Sequence, residues 1–364
     1  MAEKTTTLSV FTADVGGLVG DVSSHPGVVD NARERLGTAK DKGHIDDYHV
    51  LRCGDDLELL ITHGGGVDDS EVHKLAWNTF VSCRGIAREL KLYGSSEALT
   101  SRFDGNIRGL GPGAAEIEFI ERASEPIVVF LANKTGGGAW NLPLYRIFAD
   151  PFNTAGLIGD EAMFNGFTFT IMDTFENREI ELKTPAEAHL IISLACFASR
   201  YVITSVSKTG GDKAAVISNC KKEFNTLEAA CKNEPALIVR CQAGFPAVGE
   251  VMEAFSFPHL VSGPDASSHA GPLMPVPFYE ANPTRLDGPP RVISAGFQIT
   301  DRHLIGPHDM FDDPGFDEAR RTANTVTDYL RRHGPFQAQG LPASAIAGCA
   351  PAAYDKIKNR FKKL

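Results

Sequence analysis

The chain has 364 residues, of which 43% are hydrophobic and 23% charged, with a formal charge of −10 and a pI near 5.6. This composition is typical of a globular protein with a large core, and the acidic balance argues against a nucleic-acid-binding protein, which usually has a basic face. No apolar run approaches the roughly 20 residues needed to cross a bilayer, no signal-peptide pattern is present, and no cysteines have CxxC spacing. We therefore expect a cytoplasmic protein whose cysteines signal neither a zinc site nor a disulfide framework.

Strand and helix patterns alternate along the chain. The first strand, 6–13, ends at Asp14 and a glycine-rich loop, and a long helix over 69–92 opens with acidic residues that suit a helix N-terminus. Other strands are predicted at 47–53, 57–63, 116–120, 126–132, 167–173, 201–207, 214–218, 236–241 and 291–299. Other helices are predicted at 28–42, 185–198, 246–255 and 316–334, with a loop and short helix over 133–160, an irregular segment over 336–350 and a C-terminal helix over 351–364.

The order of these elements bears on the fold class. Strands and helices interleave without a strict βαβ rhythm, which favours an α+β layered sandwich over a doubly wound parallel sheet. No linker-like segment interrupts the sequence, so we expect a single domain over 1–364.

Carboxylates at predicted strand ends are the first chemical signal. Asp14 follows a strand, and Asp55 and Asp56 lie between two strands. Adjacent carboxylates repel each other, so a buried pair needs a cation, and oxygen ligands suit Mg²⁺. From spacing alone, a polar hairpin turn at 54–56 is an equally good interpretation.

Two other stretches could contact a phosphate or a carbonyl compound. The glycines of 105–113 would let backbone amides approach an anion, and Arg108 could bind phosphate, although such loops are more often structural. Lys232 precedes a strongly apolar strand, where a lowered pKa would allow a Schiff base with a ketone. A lone lysine in a polar turn is, however, usually only solvated.

Long stretches of the sequence together resemble one family. They are GDD (54–56), FDGNIRGLGPG (103–113), NLPLYRIFADPFNTAGL (141–157), FPHLV (257–261), GPLMPV (271–276), LDGPPR (286–291) and FDDPGFDEARR (311–321). From residue 5 to about 361 the chain resembles the archaeal-type fructose-1,6-bisphosphate aldolase/phosphatase family. The resemblance implies a four-layer α-β-β-α sandwich that assembles into octamers. It also implies a Schiff-base lysine that joins dihydroxyacetone phosphate to glyceraldehyde 3-phosphate, and Mg²⁺-dependent removal of the C1 phosphate at the same site.

The resemblance assigns candidate site residues. Lys232 aligns with the catalytic Schiff-base lysine. Positions that match sugar-phosphate contacts are Tyr93, Gly105, Asn106, Lys134, Gln242 and Asp287. Positions that match metal ligands, or stand in their place, are Asp14, Asp55, Asp56, Asp21, Glu97, Asn133, Asn233 and Glu234.

Part of the family's apparatus is replaced in this sequence. Neutral or altered residues at metal-site positions include Asp21 for a histidine, Asn133 for an aspartate, and Asn233 and Glu234 for two aspartates. Alanines at 229, 243 and 266 replace a tyrosine proton carrier, a histidine and a phosphate-binding arginine, and the family's C-terminal tyrosine has no counterpart at 345–348. Loss of a positioned proton carrier typically costs about 10²–10⁴ in rate.

These replacements lead to three functional hypotheses. We expect a divergent enzyme that acts on a sugar-phosphate-like or other carbonyl substrate through Lys232 and Mg²⁺-binding carboxylates, with an altered substrate or reaction. One alternative is an ordinary bifunctional fructose-1,6-bisphosphate aldolase/phosphatase of gluconeogenesis, and another is a non-catalytic sugar-phosphate-binding paralogue. The expected partners are a small-molecule substrate and copies of the same chain, without nucleic acid or membrane.

Overall fold

The computed structural model describes residues 5–20, 22–94, 113–133, 135–217, 236–261, 271–282, 288–332 and 354–364. The strands are β1 Thr5–Asp14, β2 Asp47–Cys53, β3 Asp56–His63, β4 Gly113–Ile120, β5 Pro126–Asn133, β6 Phe167–Asp173, β7 Arg178–Lys183, β8 Tyr201–Lys208, β9 Lys213–Val216, β10 Leu237–Arg240, β11 Leu260–Val261, β12 Gly271–Pro272, β13 Met274–Pro275, β14 Arg291–Thr300, β15 His303–Asp309 and β16 Lys362–Lys363. The α-helices are α1 Pro26–Asp41, α2 Ser70–Glu89, α3 Asn141–Ala149, α4 Gly156–Gly159, α5 Ala188–Ala195, α6 Val248–Glu253, α7 Asp317–Arg332 and α8 Tyr354–Ile357. Short 3₁₀ helices lie at Gly137–Trp140, Phe278–Glu280, Pro314–Phe316 and Lys358–Arg360.

The first sheet has the order β2-β3-β1-β4, with antiparallel pairing throughout. Side chains of a strand alternate between the two faces of a sheet. Along β1, Phe11 packs in a cluster with residues of α1 and α2, whereas Leu8 and Val10 pack with residues of the second sheet. Both faces of this sheet are therefore covered, which explains the nearly continuous burial of β1.

The second sheet, within the described residues, has the order β13-β14-β5-β10-β9-β8-β6-β7-β16, with β15 paired to β14. Its strand β5 lies between β10 and β14 and is antiparallel to both. One face contributes Val129 and Leu131 to the cluster shared with the first sheet. The other face contributes Phe130 to a cluster with Trp140 and Phe255, and the rings of Phe130 and Phe255 stack with centroids 4.5 Å apart.

Most predicted elements are confirmed, and the α+β class is confirmed by helices that accompany mixed and mainly antiparallel sheets. The helix predicted over 69–92 begins at Ser70 because the Asp69 carboxylate accepts hydrogen bonds from the amides of Glu71 and Val72 as its N-cap. It ends at Glu89. The hairpin interpretation of 54–56 is also confirmed, since Gly54 and Asp55 form the turn between β2 and β3.

The prediction of a C-terminal helix over 351–364 is wrong for the described part of that segment. Helix α8 ends at Ile357, and β16 pairs with β7. The cause is tertiary packing: the Arg178 guanidinium lies 4.7 Å from the centroid of the Phe361 ring, which also contacts the Tyr201 ring. An extended chain is needed to place Phe361 there.

Two other predictions need correction. Segment 133–160 contains α3, α4 and a 3₁₀ helix, more helix than the single short one expected. Asn141, the first residue of α3, docks this helix: its side chain donates to the carbonyl oxygens of Ala195 and Tyr201 and accepts from the Ile203 amide. Strands β7 and β15 were not predicted, because their exposed faces carry charged or polar residues that mask the alternation.

The described helices include none that is both long enough and apolar enough to cross a lipid bilayer.

The directions of the strands bring several strand ends to one edge of the two sheets. Asp14, the last residue of β1, pairs with Asp56, the first residue of β3, and β4 begins beside Thr12. In the second sheet β5 ends at Asn133, opposite Arg291 at the start of β14. This edge, with the ends of β1 and β5 and the starts of β3, β4, β10 and β14, is called the carboxylate edge below.

Candidate functional site

The β2–β3 turn positions two buried carboxylates at the carboxylate edge. Asp55 is 6% exposed and Asp56 5% exposed. The preceding residue, Gly54, has a φ of +63°, which favours glycine, and a Cβ atom at this position would lie 2.5 Å from the Asn133 side chain. Glycine therefore permits both the tight turn and the close approach of β5.

Asn133 joins the two carboxylates from the opposite sheet. Its amide Nδ2 donates to Asp55 Oδ1 at 3.0 Å and to Asp56 Oδ2 at 2.9 Å, and the side chain is buried. Hydrogen bonds to charged groups contribute about 1.5–3 kcal/mol, more than neutral ones. An amide carries no net charge, however, so the excess negative charge of the pair is not cancelled by this contact.

The loop after β1 packs against the same turn. The Ser24 hydroxyl donates to the Asp55 carbonyl oxygen at 2.6 Å, and the Ser24 amide donates to the Gly54 carbonyl oxygen at 3.3 Å. Asp14 is exposed, and its carboxylate accepts a hydrogen bond of 2.8 Å from the Gly16 amide. Asp14, Asp55 and Asp56 thus share one edge.

Tyr93 is held next to the same loop. Its backbone amide and carbonyl exchange hydrogen bonds of 2.9 and 3.1 Å with Gly17, while its ring is 57% exposed. The structure therefore brings this predicted substrate contact to the segment that follows Asp14.

Gln242 lies at the other end of β5. Strand β10 pairs its last residue, Arg240, with Ile127, and the Cys241 amide donates to the Pro126 carbonyl oxygen. Seven residue steps of β5 separate Pro126 from Asn133, which amounts to roughly 24 Å at about 3.4 Å per residue. Within one chain, the structure does not bring Gln242 to the carboxylate pair.

Gln242 stands in a turn whose backbone is unusual. Gln242, Ala243 and Gly244 have φ values of +63°, +47° and +88°. Left-handed conformations of non-glycine residues cost about 1–3 kcal/mol each and persist where surrounding contacts hold them.

A buried ionic network supplies those contacts. Arg122 donates to the carbonyl oxygens of Gln242 at 2.6 Å and Cys241 at 2.9 Å, and it forms a bidentate pair with Glu125. Arg240 also donates twice to Glu125, which is fully buried. These partners outweigh the effect of burial, which alone would raise the pKa of Glu125, and hold that pKa below its usual value. Sequence reasoning did not single out this network, in which Arg122 and Glu125 lie 115 or more residues away from the segment 240–242 that they contact.

Two charged residues near the carboxylate pair were also missed. Arg291 pairs in register with Asn133, is 3% exposed, and has a pKa lowered chiefly by burial. Glu58 lies two residues after Asp56 on the same face of β3, and burial raises its pKa well above the usual value. Both stand at or near the beginning of apolar strands, so a charged residue inside an apolar run was the signal that could have found them.

The remaining candidates lie outside the described residues. They are Lys232, Gly105, Asn106, Lys134, Asp287, Asp21, Glu97, Asn233 and Glu234. Some of them lie close to strand termini in sequence: Lys134 follows β5, and the strands that come next after Lys232 and Asp287, β10 and β14, begin beside the C-terminal half of β5. Tyr354, which lies near the position of the family's C-terminal tyrosine, contacts Arg178 on β7.

Known proteins resemble this chain along nearly its whole length. A family model described as fructose-1,6-bisphosphatase matches residues 5–362. The fructose-1,6-bisphosphate aldolase/phosphatase of Ignicoccus hospitalis is 51% identical over 364 residues, covering 100% of this chain and 94% of the relative. This chain belongs to the fructose-1,6-bisphosphatase family. Two other proteins with the aldolase/phosphatase name are similar: that of Moorella thermoacetica is 49% identical, covering 98% of this chain and 94% of its own, and that of Methanothermobacter marburgensis is 46% identical, covering 99% of each.

Two features of this chain, the Asp55–Asp56 pair and the Gln242 turn, are candidate parts of a functional site. The carboxylate pair offers hard oxygen ligands, and the Gln242 turn offers an exposed amide side chain on a rigid support. Members of the fructose-1,6-bisphosphatase family are enzymes, so we treat both as candidate parts of an active site.

We expect Arg122→Lys to loosen the Gln242 turn. Lysine cannot pair bidentately with Glu125 while also donating to two carbonyl oxygens, so the free energy of unfolding should fall by about 1–3 kcal/mol. Denaturant unfolding of the purified protein measures this change. The matched control is Arg321→Lys, because the Arg321–Glu318 pair is exposed on both sides and should change stability by less than about 1 kcal/mol. Equal stability of the two variants would contradict the role given to Arg122.

Proposed function

We propose that the chain is a bifunctional fructose-1,6-bisphosphate aldolase/phosphatase. The observation that carries the proposal is the buried pair Asp55–Asp56 in a chain whose identity to proteins of that name extends over its full length. This support favours the ordinary bifunctional enzyme over the divergent enzyme expected from the replaced positions. An identity of 45–51% over the whole chain accommodates many substitutions without a change of reaction.

The proposed magnesium site uses the oxygen ligands of the carboxylate edge. Asp55 and Asp56 are buried and adjacent, and their carboxylate oxygens are the hard ligands that a divalent cation such as Mg²⁺ prefers. Asn133 fits this role as well, because rotation of its amide by 180° would turn Oδ1 toward the carboxylates. Bound Mg²⁺ would supply positive charge that polarises a phosphoryl oxygen. Asp14, Asp21, Glu97, Asn233 and Glu234 are the further ligands that the family resemblance proposes.

The proposed nucleophile is Lys232. It precedes β10 by five residues, and β10 begins opposite Phe130, three residues before the end of β5. This connection is short enough for a lysine side chain to serve the carboxylate edge. A Schiff base with the ketone would form there, while Tyr93, Gly105, Asn106, Lys134 and Asp287 would contact the sugar phosphate.

The layer arrangement proposed for the chain is α-β-β-α. Its support is the set of hydrophobic clusters in the described residues: α1 and α2 pack with the first sheet, the two sheets pack with each other, and α3 and α5 pack with the far face of the second sheet. This arrangement would place the carboxylate edge where the two central layers meet.

We also propose that the active site is completed by a second copy of the chain. Gln242 and Asn133 lie at opposite ends of β5, roughly 24 Å apart along the strand, farther than one sugar bisphosphate can bridge. If Gln242 contacts substrate, it does so in a neighbouring subunit. The octamer implied by the family resemblance would provide such a neighbour.

The central experiment measures both half-reactions. With millimolar Mg²⁺, the protein should release phosphate from fructose 1,6-bisphosphate, and chelation by EDTA should abolish the release. Incubation with dihydroxyacetone phosphate followed by borohydride should attach the ketone to the peptide that carries Lys232, and Lys232→Arg should prevent this adduct.

The two readouts separate the hypotheses. Adduct formation without phosphate release would support the divergent enzyme. If the protein shows neither adduct formation nor phosphate release, but a sugar phosphate raises its melting temperature, the result would support a non-catalytic paralogue.

We expect Asn133→Asp to strengthen magnesium binding and to weaken the metal-free protein. A third buried carboxylate without a cation should lower the free energy of unfolding by about 3–5 kcal/mol in EDTA. With Mg²⁺ the added ligand charge should tighten binding on the order of tenfold, as calorimetry would show. Asn324→Asp, the same change on the exposed side of α7, is the control and should alter neither quantity. Unchanged Mg²⁺ affinity in Asn133→Asp would exclude Asn133 from the metal site.

Subunit mixing tests the shared active site. Gln242→Gly removes the side chain while tolerating the positive φ, and Asp55→Asn removes a proposed ligand. Each variant alone should lose most phosphatase activity. Assembled together in equal amounts, they should recover about one quarter of the wild-type activity, because half of randomly formed two-fold pairs contain one intact site of two. Activity of the mixture no higher than that of the separate variants would show that both residues act within one chain.

A further inference from the structure

A second polar cluster lies on the opposite face of the first sheet. It combines Asp68 in the turn before α2, His73 on α2 and Glu116 on β4. One ligand atom of each residue lies within 4.8 Å of the others, and within the described part of the chain these are the three His, Cys, Asp or Glu side chains that meet this way. His73 and Glu116 are buried, and Asp68 is exposed.

The imidazole of His73 is directed into this cluster. The residue is 7% exposed, and its Nε2 atom lies 3.1 Å from Glu116 Oε1. This nitrogen makes no hydrogen bond of acceptable geometry with the described residues, despite that distance. Two ligands at about 2.0–2.2 Å from one tetrahedral ion are roughly 3.4 Å apart, so the observed separation is close to that of two ligands of a common metal.

A chain of hydrogen bonds holds Glu116 in place. The Gly65 amide donates to His63 Nδ1, which leaves His63 Nε2 protonated and able to donate to the Ser9 hydroxyl at 2.8 Å. Ser9 in turn donates to Glu116 Oε1 at 2.6 Å, and the Asp68 amide donates to Oε2 at 2.9 Å. Such outer contacts are typical of metal sites, where they orient the ligands.

The electrostatics of Glu116 suit a cation. Its buried carboxylate accepts hydrogen bonds from the Ser9 hydroxyl and the Asp68 amide and lies next to an imidazole nitrogen and the carboxylate of Asp68.

We propose that Asp68, His73 and Glu116 bind a divalent transition-metal ion of the Zn²⁺ or Co²⁺ type. One imidazole and two carboxylates favour such ions over Mg²⁺, which prefers oxygen ligands alone. The exposed Asp68 gives an ion access from solvent and leaves room for a water ligand.

This site is distinct from the carboxylate edge. Glu116 pairs with Ser9, five residues before Asp14, and both face α2, whereas Asp56 contacts Asn133 of the second sheet. The proposal does not depend on the reaction assigned above. A bound ion would cross-link α2 to β4 and so stabilise the folded protein.

Cobalt titration of the full-length protein in saturating Mg²⁺, which keeps the proposed magnesium site filled, tests the proposal. One Co²⁺ per chain should bind with visible absorption typical of low-coordinate cobalt, Zn²⁺ should displace it, and Zn²⁺ should raise the melting temperature. Asp68→Asn and His73→Gln should each weaken binding at least about tenfold, since even outer contacts of metal sites contribute that much. Should His73→Gln fold poorly, Asp68→Asn is the deciding variant, because Asp68 is exposed and asparagine tolerates its φ of +64°.

Controls separate this site from the others. His44→Gln, at an exposed histidine, and Asp56→Asn, at the carboxylate edge, should leave cobalt binding unchanged. Thiolate ligation would add intense near-ultraviolet absorption, which is not expected from Cys83 or Cys241 because burial raises the pKa of each to about 12. Equal binding by wild type and Asp68→Asn, or loss of binding in Asp56→Asn, would overturn the proposal.

Discussion

The two hydrogen bonds from Asn133 to Asp55 and Asp56 connect the two sheets at the carboxylate edge, where β1 and β5 end and β3 begins. Two adjacent carboxylates in a buried setting repel each other strongly, and their desolvation adds to the cost. A neutral amide satisfies one lone pair on each without neutralising either charge. The pair is thus geometrically fixed by a contact that contributes no positive charge, and a bound cation would contribute that charge.

The geometry around this pair follows from backbone constraints. Gly54 accepts a left-handed conformation that brings Asp55 and Asp56 to the end of the hairpin, and its missing Cβ leaves space for Asn133. The sequence offered a hairpin turn and a metal site as alternatives for this stretch, and the turn is confirmed. The same glycine that makes the turn also allows an amide from a strand 77 residues away to reach both carboxylates, so one interpretation does not exclude the other.

Local patterns predicted the strands and helices that carry the carboxylate edge, because β1, β3 and β5 are apolar runs bounded by polar turns. They also singled out Asp14, Asp55 and Asp56 as acids at strand ends. Local patterns did not predict how far Gln242 lies from Asn133, since that distance depends on the antiparallel pairing of β5 with β10. The C-terminal strand β16 was missed for a similar reason: its partner β7 is far away in sequence, and the contacts of Phe361 override local helix propensity.

The first sheet carries buried acids on both of its faces, and each face compensates them differently. Asp56 faces the second sheet and meets the neutral amide of Asn133, whereas Glu116 faces α2 and meets an imidazole, a hydroxyl and a backbone amide. In the two proposed sites, oxygen ligands alone on the first face and an added imidazole nitrogen on the second would favour cations of different hardness. Because β1 is hydrogen-bonded to both β3 and β4, an ion that orders one face would also restrain the strand whose last residue is Asp14. A cation bound at the proposed α2 site would then restrain the carboxylate edge through β1 alone, without contact between the two proposed sites.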